Sequence, residues 1–239
     1  MQRIALCTAA CLFLATHGHA IHGHAIEGAT ASAGTPKVFQ QQTAQEWSTY
    51  TNRVDRFEVN LPGEPKVEDI KWPSEYGAVF PARVYSLEQG GGRYSVTVVD
   101  YTDAERIHAA RTNHTEADSL PIYWQVDVQA SIAYAATKFR QRPGVKVTYD
   151  AFHYIDLVSG HQLQITNPDQ SRTFVGIYLH ESRLYILEAT VPARAPQPGL
   201  FQQSLSFLDA AGKKVRYPTI YYNRLAPAKN AFGPAEPAR

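Results

Sequence analysis

The sequence predicts an α+β domain in which helices cover an antiparallel sheet. Three observations support this fold class. Two β-rich runs, at 82–87 and 94–101, are separated by three glycines; an apolar stripe with helical spacing crosses 121–142; and the β-rich runs that follow are joined by tight turns. Links of hairpin length favour antiparallel pairing, and separate blocks of strands and helices favour the α+β class over alternating βα units.

The first predicted strands precede the long helix. Apolar and polar residues alternate across 57–61, which predicts a strand with one buried face, and Pro62-Gly63 ends it. The three glycines at 90–92 predict a hairpin turn, because glycine takes positive φ without a steric cost. A phosphate cradle would instead need a following Lys and Ser/Thr, or a GxGxxG pattern that opens a helix.

The best helical pattern covers residues 121–142. Its apolar residues recur at steps of three and four and form one stripe: Trp124, Val128, Ile132, Ala135 and Phe139. Pro121 suits the first helical turn, and Asp118 or Ser119 is the expected cap. Pro143-Gly144 is expected to end the helix.

The chain after this helix is rich in β-branched and aromatic residues. We expect strands over 145–149, 152–155, 163–165, 173–179 and 183–191. The last two runs are apolar on both faces, which predicts central strands of a sheet that is covered on both sides. The residues Phe201, Leu205 and Leu208 predict a second, shorter amphipathic helix within 199–209.

The N-terminal residues predict export, and the composition of both ends limits the folded domain. Residues 1–25 combine Arg3, an apolar run over 4–15 and small residues at the spacing of a signal-peptide cleavage site. The run is too short to span a bilayer of roughly 30 Å, although a retained anchor is the alternative. We expect a flexible linker at 26–42, a single α+β domain at 43–224 and a disordered tail at 225–239.

Cysteine usage and charge narrow the location and the partners. Both cysteines, Cys7 and Cys11, lie within the predicted signal peptide, so the exported chain is expected to rely on its core without disulfides. We expect a periplasmic or secreted protein with no stable membrane insertion. The formal net charge of +1 argues against a dedicated nucleic-acid binder, which carries a basic excess.

Several blocks resemble a known family. These are Trp47–Tyr50, the run FEVNLPGEP at 57–65, Gly160 before the strand at 163–165, the run RLYIL at 183–187 and the run FQQSLSFL at 201–208. Together they resemble the PsbP/Mog1-like α/β/α sandwich, and they are similar to exported bacterial proteins of unknown role. The resemblance implies a binding or assembly factor and carries no catalytic residue to this chain.

Two groups of residues could carry chemistry. Asp156, Ser159 and His161 are close in sequence and could form a hydrolytic triad, although Ser159-Gly160 is also expected to be a turn. His153, His161 and His180 lie in or beside neighbouring predicted strands and could approach one another as metal ligands. Hydrogen-bonded or exposed histidines are the alternative reading of this group.

A buried carboxylate and an aromatic patch complete the candidates. Glu188 lies within an apolar run, so it either has a raised pKa or pairs with an arginine such as Arg172 or Arg183. A patch near Lys213 and Lys214 could bind a ligand or a partner, since Tyr and Arg are favoured at interfaces. It comprises Arg216, Tyr217, Tyr221 and Tyr222.

The sequence therefore favours an exported, non-catalytic binding or assembly module whose partner is an unknown protein or small ligand. An exported hydrolase with an unrecognised site is one alternative. The other is a metal-handling protein that uses the His-Gly-His-Ala-Ile repeats at 17–21 and 22–26. We expect no cofactor, because no cofactor-binding motif is found.

Overall fold

A computed structural model describes residues 47–113 and 122–223. Five predicted features lie outside these residues: the signal peptide at 1–25 with its histidine repeats, the linker at 26–42, the tail at 225–239 and the cap candidates Asp118 and Ser119. The strands are β1 (Ser48–Asn52), β2 (Phe57–Leu61), β3 (Lys66–Pro73), β4 (Val79–Gln89), β5 (Gly92–Asp100), β6 (Lys146–Ile155), β7 (Val158–Thr166), β8 (Arg172–His180), β9 (Arg183–Val191) and β10 (Ser206–Phe207). The helices are α1 (Ala104–Ala109), α2 (Tyr123–Arg140) and α3 (Gly199–Gln202).

The strands form two antiparallel sheets. The main sheet has the order β3-β4-β5-β9-β8-β7-β6, and the small sheet has the order β1-β2-β10. Every neighbouring pair of these strands is antiparallel, which confirms the α+β class. None of the helices in the described part of the chain is long and apolar enough to cross a bilayer.

The main sheet is built from two hairpin blocks that meet at its centre. One block is β3-β4-β5, the other is β6-β7-β8-β9, and β5 pairs with β9 from Arg93↔Thr190 to Asp100↔Arg183. Tight two-residue turns link several strands: both residues of Asp156-Leu157 and of Glu181-Ser182 have positive φ. Such turns match the twist of antiparallel strands, so the hairpins form from local sequence.

The two central strands are buried on both faces, as the sequence predicts. Eight of the nine residues of β8 are buried, and β9 is buried along most of its length. One face packs under α2, where Val128, Ala135 and Phe139 meet the inward side chains of β7, β8 and β9. The helix spans 123–140, inside the predicted range, and its first turn has no side-chain cap from Ile122.

The face of the main sheet opposite α2 is covered mainly by strands. One of these strands lies where the sequence predicted a helix. The predicted helix over 199–209 is helical only at 199–202, after which Ser206-Phe207 pairs with β2 as β10. Phe201, Leu205 and Leu208 are buried as expected. Pairing with the open edge of β2 satisfies backbone groups that a short helix would leave unpaired, so strand pairing prevails over the helical pattern.

A buried carboxylate fastens the small sheet to the main one. Asp55, in the β1–β2 turn, is almost fully buried and accepts hydrogen bonds from Arg83 Nε at 2.7 Å and from the Tyr85 hydroxyl at 2.5 Å. Arg83 Nη2 donates a third bond to the carboxylate, and the carbonyl oxygen of Asp55 accepts a fourth from the Tyr185 hydroxyl at 2.9 Å. Burial, followed by the bond to Asp55, raises the pKa of Tyr85. These bonds fix the position of the small sheet on the second face of the main sheet.

The expected turn at Ser159-Gly160 is wrong, because both residues lie within β7. The turn lies earlier, at Asp156-Leu157. Gly160 is buried at a close approach of β7 to β8. A Cβ there would lie 2.3 Å from the backbone oxygen of Ile177 and 2.3 Å from Tyr178 Cδ1.

We predict that Gly160→Ala destabilises the fold by at least about 2 kcal/mol, because the neighbouring strand must shift to admit the methyl group. Gly199→Ala is the matched control, since a Cβ at Gly199 meets nothing within 4 Å. Urea unfolding midpoints measure both variants. Equal midpoints for the two variants would contradict this packing.

Candidate functional site

The predicted aromatic patch is partly used to hold the fold together. The Tyr217 hydroxyl lies 2.6 Å from His180 Nε2, and the Tyr221 hydroxyl accepts a bond from the Glu181 amide at 3.0 Å. Arg216 forms an ion pair with Asp156. Tyr222 is exposed. Partner binding by this patch stays a prediction, and Tyr222 is the tyrosine of the three with the most surface to offer.

His180 lies at the centre of an aromatic cluster under the second face. Its ring stacks on Phe207 with centroids 4.5 Å apart, and Tyr217 and Tyr221 close around it at 5.8 Å and 4.9 Å. Only 1% of His180 is exposed. Burial lowers its pKa from 6.5 to about 4, so the ring is neutral at pH 7. Here the histidine serves packing.

The three strand histidines do not converge as metal ligands. His161 lies on the α2 face of β7, in step with Leu163 and Ile165, whereas His153 and His180 lie on the opposite face. His153 Nδ1 lies 2.9 Å from the Tyr178 hydroxyl, and burial lowers its pKa. Within residues 47–113 and 122–223, no group of three metal-ligating side chains comes together. The strand alternation separates them.

The residues Asp156, Ser159 and His161 do not form a triad, because Asp156 and His161 bond to other partners. His161 Nε2 lies 2.5 Å from Asp150, and Asp156 is held by Arg216. A hydrolytic triad needs the histidine between the serine and its carboxylate. His161 is instead held by a carboxylate of β6.

Glu188 pairs with an arginine, although with neither of those that the sequence suggested. Arg142, just after α2, donates through Nη1 to Oε1 at 2.6 Å and through Nη2 to Oε2 at 3.0 Å. The two-pronged bond ties the end of α2 to β9.

A buried polar cluster near the start of α2 escaped the sequence reasoning. The Ser74 hydroxyl donates to Asp127 Oδ2 at 2.5 Å, and His108 Nε2 lies 2.8 Å from the same oxygen. All three residues are buried. The carboxylate lies between serine and histidine, which is not the order of a triad, so the cluster ties α1 and α2 to the end of β3. The sequence feature that could have revealed this cluster is Asp127, a charged residue next to Val128 on the apolar side of the predicted helix.

Two clefts lie at the end of the main sheet that carries the β4–β5 turn. The larger, of about 630 Å³, is lined by 88–93, by 190–193 and by Asp169 and Ser171. The smaller, of about 250 Å³, is lined by Trp47, Tyr94 and the segment 195–200 among others. The larger cleft carries charges of both signs, from Glu88, Arg93 and Asp169, so it favours no single class of ligand.

The two edges of the main sheet differ sharply in chemistry. The β3 edge carries Lys66, Glu68, Asp69 and Lys71 and ends at Pro73, and such residues protect an edge from pairing with other chains. The β6 edge instead exposes large apolar side chains. They are Val147, Tyr149, Phe152 and Tyr154.

The helix α2 leaves the large apolar side chains of β6 uncovered, although it bonds to Asp150 of the same strand. The helix packs on β7, β8 and β9. Phe152 pairs with His161 and Tyr154 with Ser159, so both rings lie on the α2 face of the sheet. Phe152 is 85% exposed and contacts the His161 ring edge-on at 5.8 Å.

Asp150 is a polar residue of this surface whose carboxylate is held in place by hydrogen bonds. It accepts bonds from Arg140 Nε at 2.6 Å and Nη2 at 2.9 Å, and His161 Nε2 lies 2.5 Å away. The bonds from Arg140, with a smaller contribution from His161, lower the pKa of Asp150 to about 2. The carboxylate therefore stays ionised and joins α2 to β6. We call residues 147–154 of β6, with Asp150 at their centre, the β6 edge.

No protein-family model matches the chain, and no curated protein matches it. Among solved structures, the solution structure of the cyanobacterial PsbP protein CyanoP from Synechocystis sp. PCC 6803 is similar, with 11% identity and a TM-score of 0.34. The match covers 69% of this chain and 86% of that one. PsbP is also the family that the sequence resembles. At this distance the likeness carries no function to this chain.

A second likeness is to the crystal structure of PA94 from Pseudomonas aeruginosa, a protein of unknown function described as a putative regulator. The identity is 12%, the TM-score is 0.23, and the match covers 61% of this chain and 83% of that one. This likeness is weaker still.

We predict that His180 makes stability depend on pH in a defined window. The unfolded chain takes up a proton below pH 6.5, and the folded chain does so only near 4. The contribution of the neutral ring is complete above pH 6.5 and is lost as the pH falls to 4, by roughly 3 kcal/mol.

Urea unfolding at pH 7.5, 5.5 and 4.5 measures this window for the wild type and for His180→Gln. The variant removes the titration and leaves the other acid-sensitive groups in place. We expect a shallower fall of its unfolding free energy with falling pH. Parallel curves for the two proteins would refute the assignment.

Proposed function

We propose that this chain is an exported, non-catalytic binding module that takes a segment of a partner protein by strand addition at the β6 edge. One observation carries the proposal: β6 is an edge strand that exposes four large apolar or aromatic side chains, those of Val147, Tyr149, Phe152 and Tyr154, among the polar residues Lys146, Thr148 and Asp150. Among the described residues, β6 has a strand partner on one side only. Export remains part of the proposal and rests on residues 1–25.

Strand addition uses what an edge strand already has. No strand within residues 47–113 and 122–223 pairs with the outer side of β6, so its outward N–H and C=O groups are available to an extended peptide. Apolar side chains on alternate positions then decide which peptide fits. The charged β3 edge lacks this combination, so the two ends of the same sheet differ in their capacity to bind.

The register of β6 limits where a partner strand can lie. The pairing of β6 with β7 is regular from Tyr149 to Ile155 and shifts between Val147 and Tyr149. Such a bulge twists the strand and interrupts an edge. A partner strand therefore lies along 149–155, with its own apolar side chains beside Phe152 and Tyr154 on the α2 face.

The contacts of the histidines support a non-catalytic role. His153 and His180 meet tyrosine hydroxyls inside the fold, and His161 meets Asp150. Burial lowers the pKa of both His153 and His180, which weakens them as bases. These contacts favour a structural role for the three histidines, in which each stabilises the packing of neighbouring segments.

We predict that lysines on the β6 edge abolish partner binding. The full chain and its Phe152→Lys/Tyr154→Lys variant are immobilised and exposed to the exported-protein fraction of the source cell. Added charge opposes both apolar contact and strand pairing, so a true partner binds the variant at least about tenfold more weakly. Purified partner is then titrated to measure the dissociation constants.

The matched control is Val67→Lys/Val79→Lys, which adds the same charge at exposed valines at the other side of the sheet. This control must retain the partner. Amide hydrogen exchange supplies the direct readout, because strand addition slows exchange in 149–155. A partner that binds both double variants equally, or leaves exchange in β6 unchanged, would refute strand addition.

A further inference from the structure

We infer that the β6 edge pairs with the same edge of a second copy of this chain, in an antiparallel, two-fold arrangement that sets Phe152 opposite the partner's Phe152. This inference rests on the proposed function and names its partner. It follows from the register of β6, from the hydrogen-bonding capacity of its side chains and from the area it exposes.

Symmetry restricts the register. Two antiparallel strands related by a two-fold axis perpendicular to the sheet present the same face on the same side. Residues that lie opposite each other must therefore share a face, and faces alternate along the strand. The axis thus passes between a residue and its own copy, so each register is defined by one central residue between 149 and 155.

Several residues could lie at the two-fold axis and still allow a stretch of paired residues. Only one of these registers pairs the two strands over their full regular length with compatible side chains. A centre at Asp150 would oppose two carboxylates, and a centre at Ala151 would set Asp150 opposite the aromatic ring of the partner's Phe152. A centre at His153 would pair only 151–155 before the turn at Asp156. A centre at Phe152 pairs the whole regular stretch 149–155.

The Phe152 centre matches the side chains as well. It sets Phe152, 85% exposed, against the partner's Phe152, and it sets Asp150 opposite the partner's Tyr154. Asp150 accepts three bonds within its own chain and has capacity for about four. Tyr154 makes no hydrogen bond to any described residue, so its hydroxyl has a proton to donate.

The two-fold axis repeats this contact, so the pair would gain two Tyr154–Asp150 contacts and one contact between phenylalanine rings. Tyr149 then lies opposite the partner's Ile155 on the other face. Aromatic pairs across strands add to the stability of the backbone pairing.

The exposed area predicts a weak dimer. Tyr149, Phe152 and Tyr154 are 43%, 85% and 48% exposed. At roughly 200 Å² for each aromatic side chain, the six rings of two copies could bury on the order of 700 Å². Stable interfaces bury roughly 1,200–2,000 Å², so this contact is smaller than a stable interface and we expect weak, reversible association.

Cysteine cross-linking tests the register directly. The only cysteines of the chain are Cys7 and Cys11, and both are replaced by serine in the full-length protein. Phe152→Cys would place two thiols directly opposite each other, within the Cα separation of roughly 4.4–6.8 Å that a disulfide spans. Ala151→Cys is the control, because Ala151 lies opposite the partner's His153.

Under mild oxidation with copper phenanthroline, we expect Phe152→Cys to form covalent dimer at least about tenfold faster than Ala151→Cys. Equal rates, or faster cross-linking of Ala151→Cys, would overturn the inferred register. A failure of both to cross-link would overturn the second-copy inference.

Sedimentation velocity over a concentration series gives an independent measure. We expect the wild type and Val67→Lys to dimerise and Phe152→Lys to stay monomeric, with the circular dichroism spectrum unchanged because the Phe152 side chain is exposed. A monomeric wild type whose heterologous partner still depends on the β6 edge refutes the second copy alone. If no association depends on this edge, both proposals fail.

Discussion

Burial of β8 and β9 on both faces is the constraint on which the rest of the structure depends. Two strands that are apolar on both faces need a cover on each side, and antiparallel neighbours extend the sheet to seven strands around them. The elements that cover the two faces, α2 and the small sheet, are narrower than the seven-stranded sheet. The helix α2 packs over β7, β8 and β9 and bonds to Asp150 of β6, but it leaves Phe152 and Tyr154 exposed on the same face.

Three buried or half-buried polar groups stabilise this arrangement, since each bonds a cover or a connecting segment to the main sheet. Asp55 binds Arg83 and Tyr85 under the small sheet, and Glu188 binds Arg142 after α2. His180 holds the segment that carries Tyr217. Charge-assisted bonds of this kind fix orientation where apolar packing alone allows sliding. The histidines and carboxylates most suggestive of chemistry in the sequence therefore make contacts within the fold, and the β6 edge is the surface that we propose for recognition.

Local patterns were enough to predict most elements, because alternation and helical spacing are properties of neighbouring residues. The strand 57–61, the hairpin around the three glycines and the helix within 121–142 are confirmed. Non-local pairing decided the failures. Ser206-Phe207 joined β2, Glu188 found Arg142, and Ser159-Gly160 extended β7. The β6 edge could not be found from sequence, because the alternating run at 149–154 resembles a half-buried strand until the strand order is known.

The measurement that most directly tests the central claim is amide hydrogen exchange of the full chain, residue by residue, as its concentration rises from micromolar to millimolar. Pairing along the β6 edge predicts that exchange in 149–155 slows with concentration while exchange in the β3 edge stays constant. If the two edges exchange independently of concentration, and no added partner slows exchange in β6, then the exposed aromatic strand is not a recognition surface and the account is wrong.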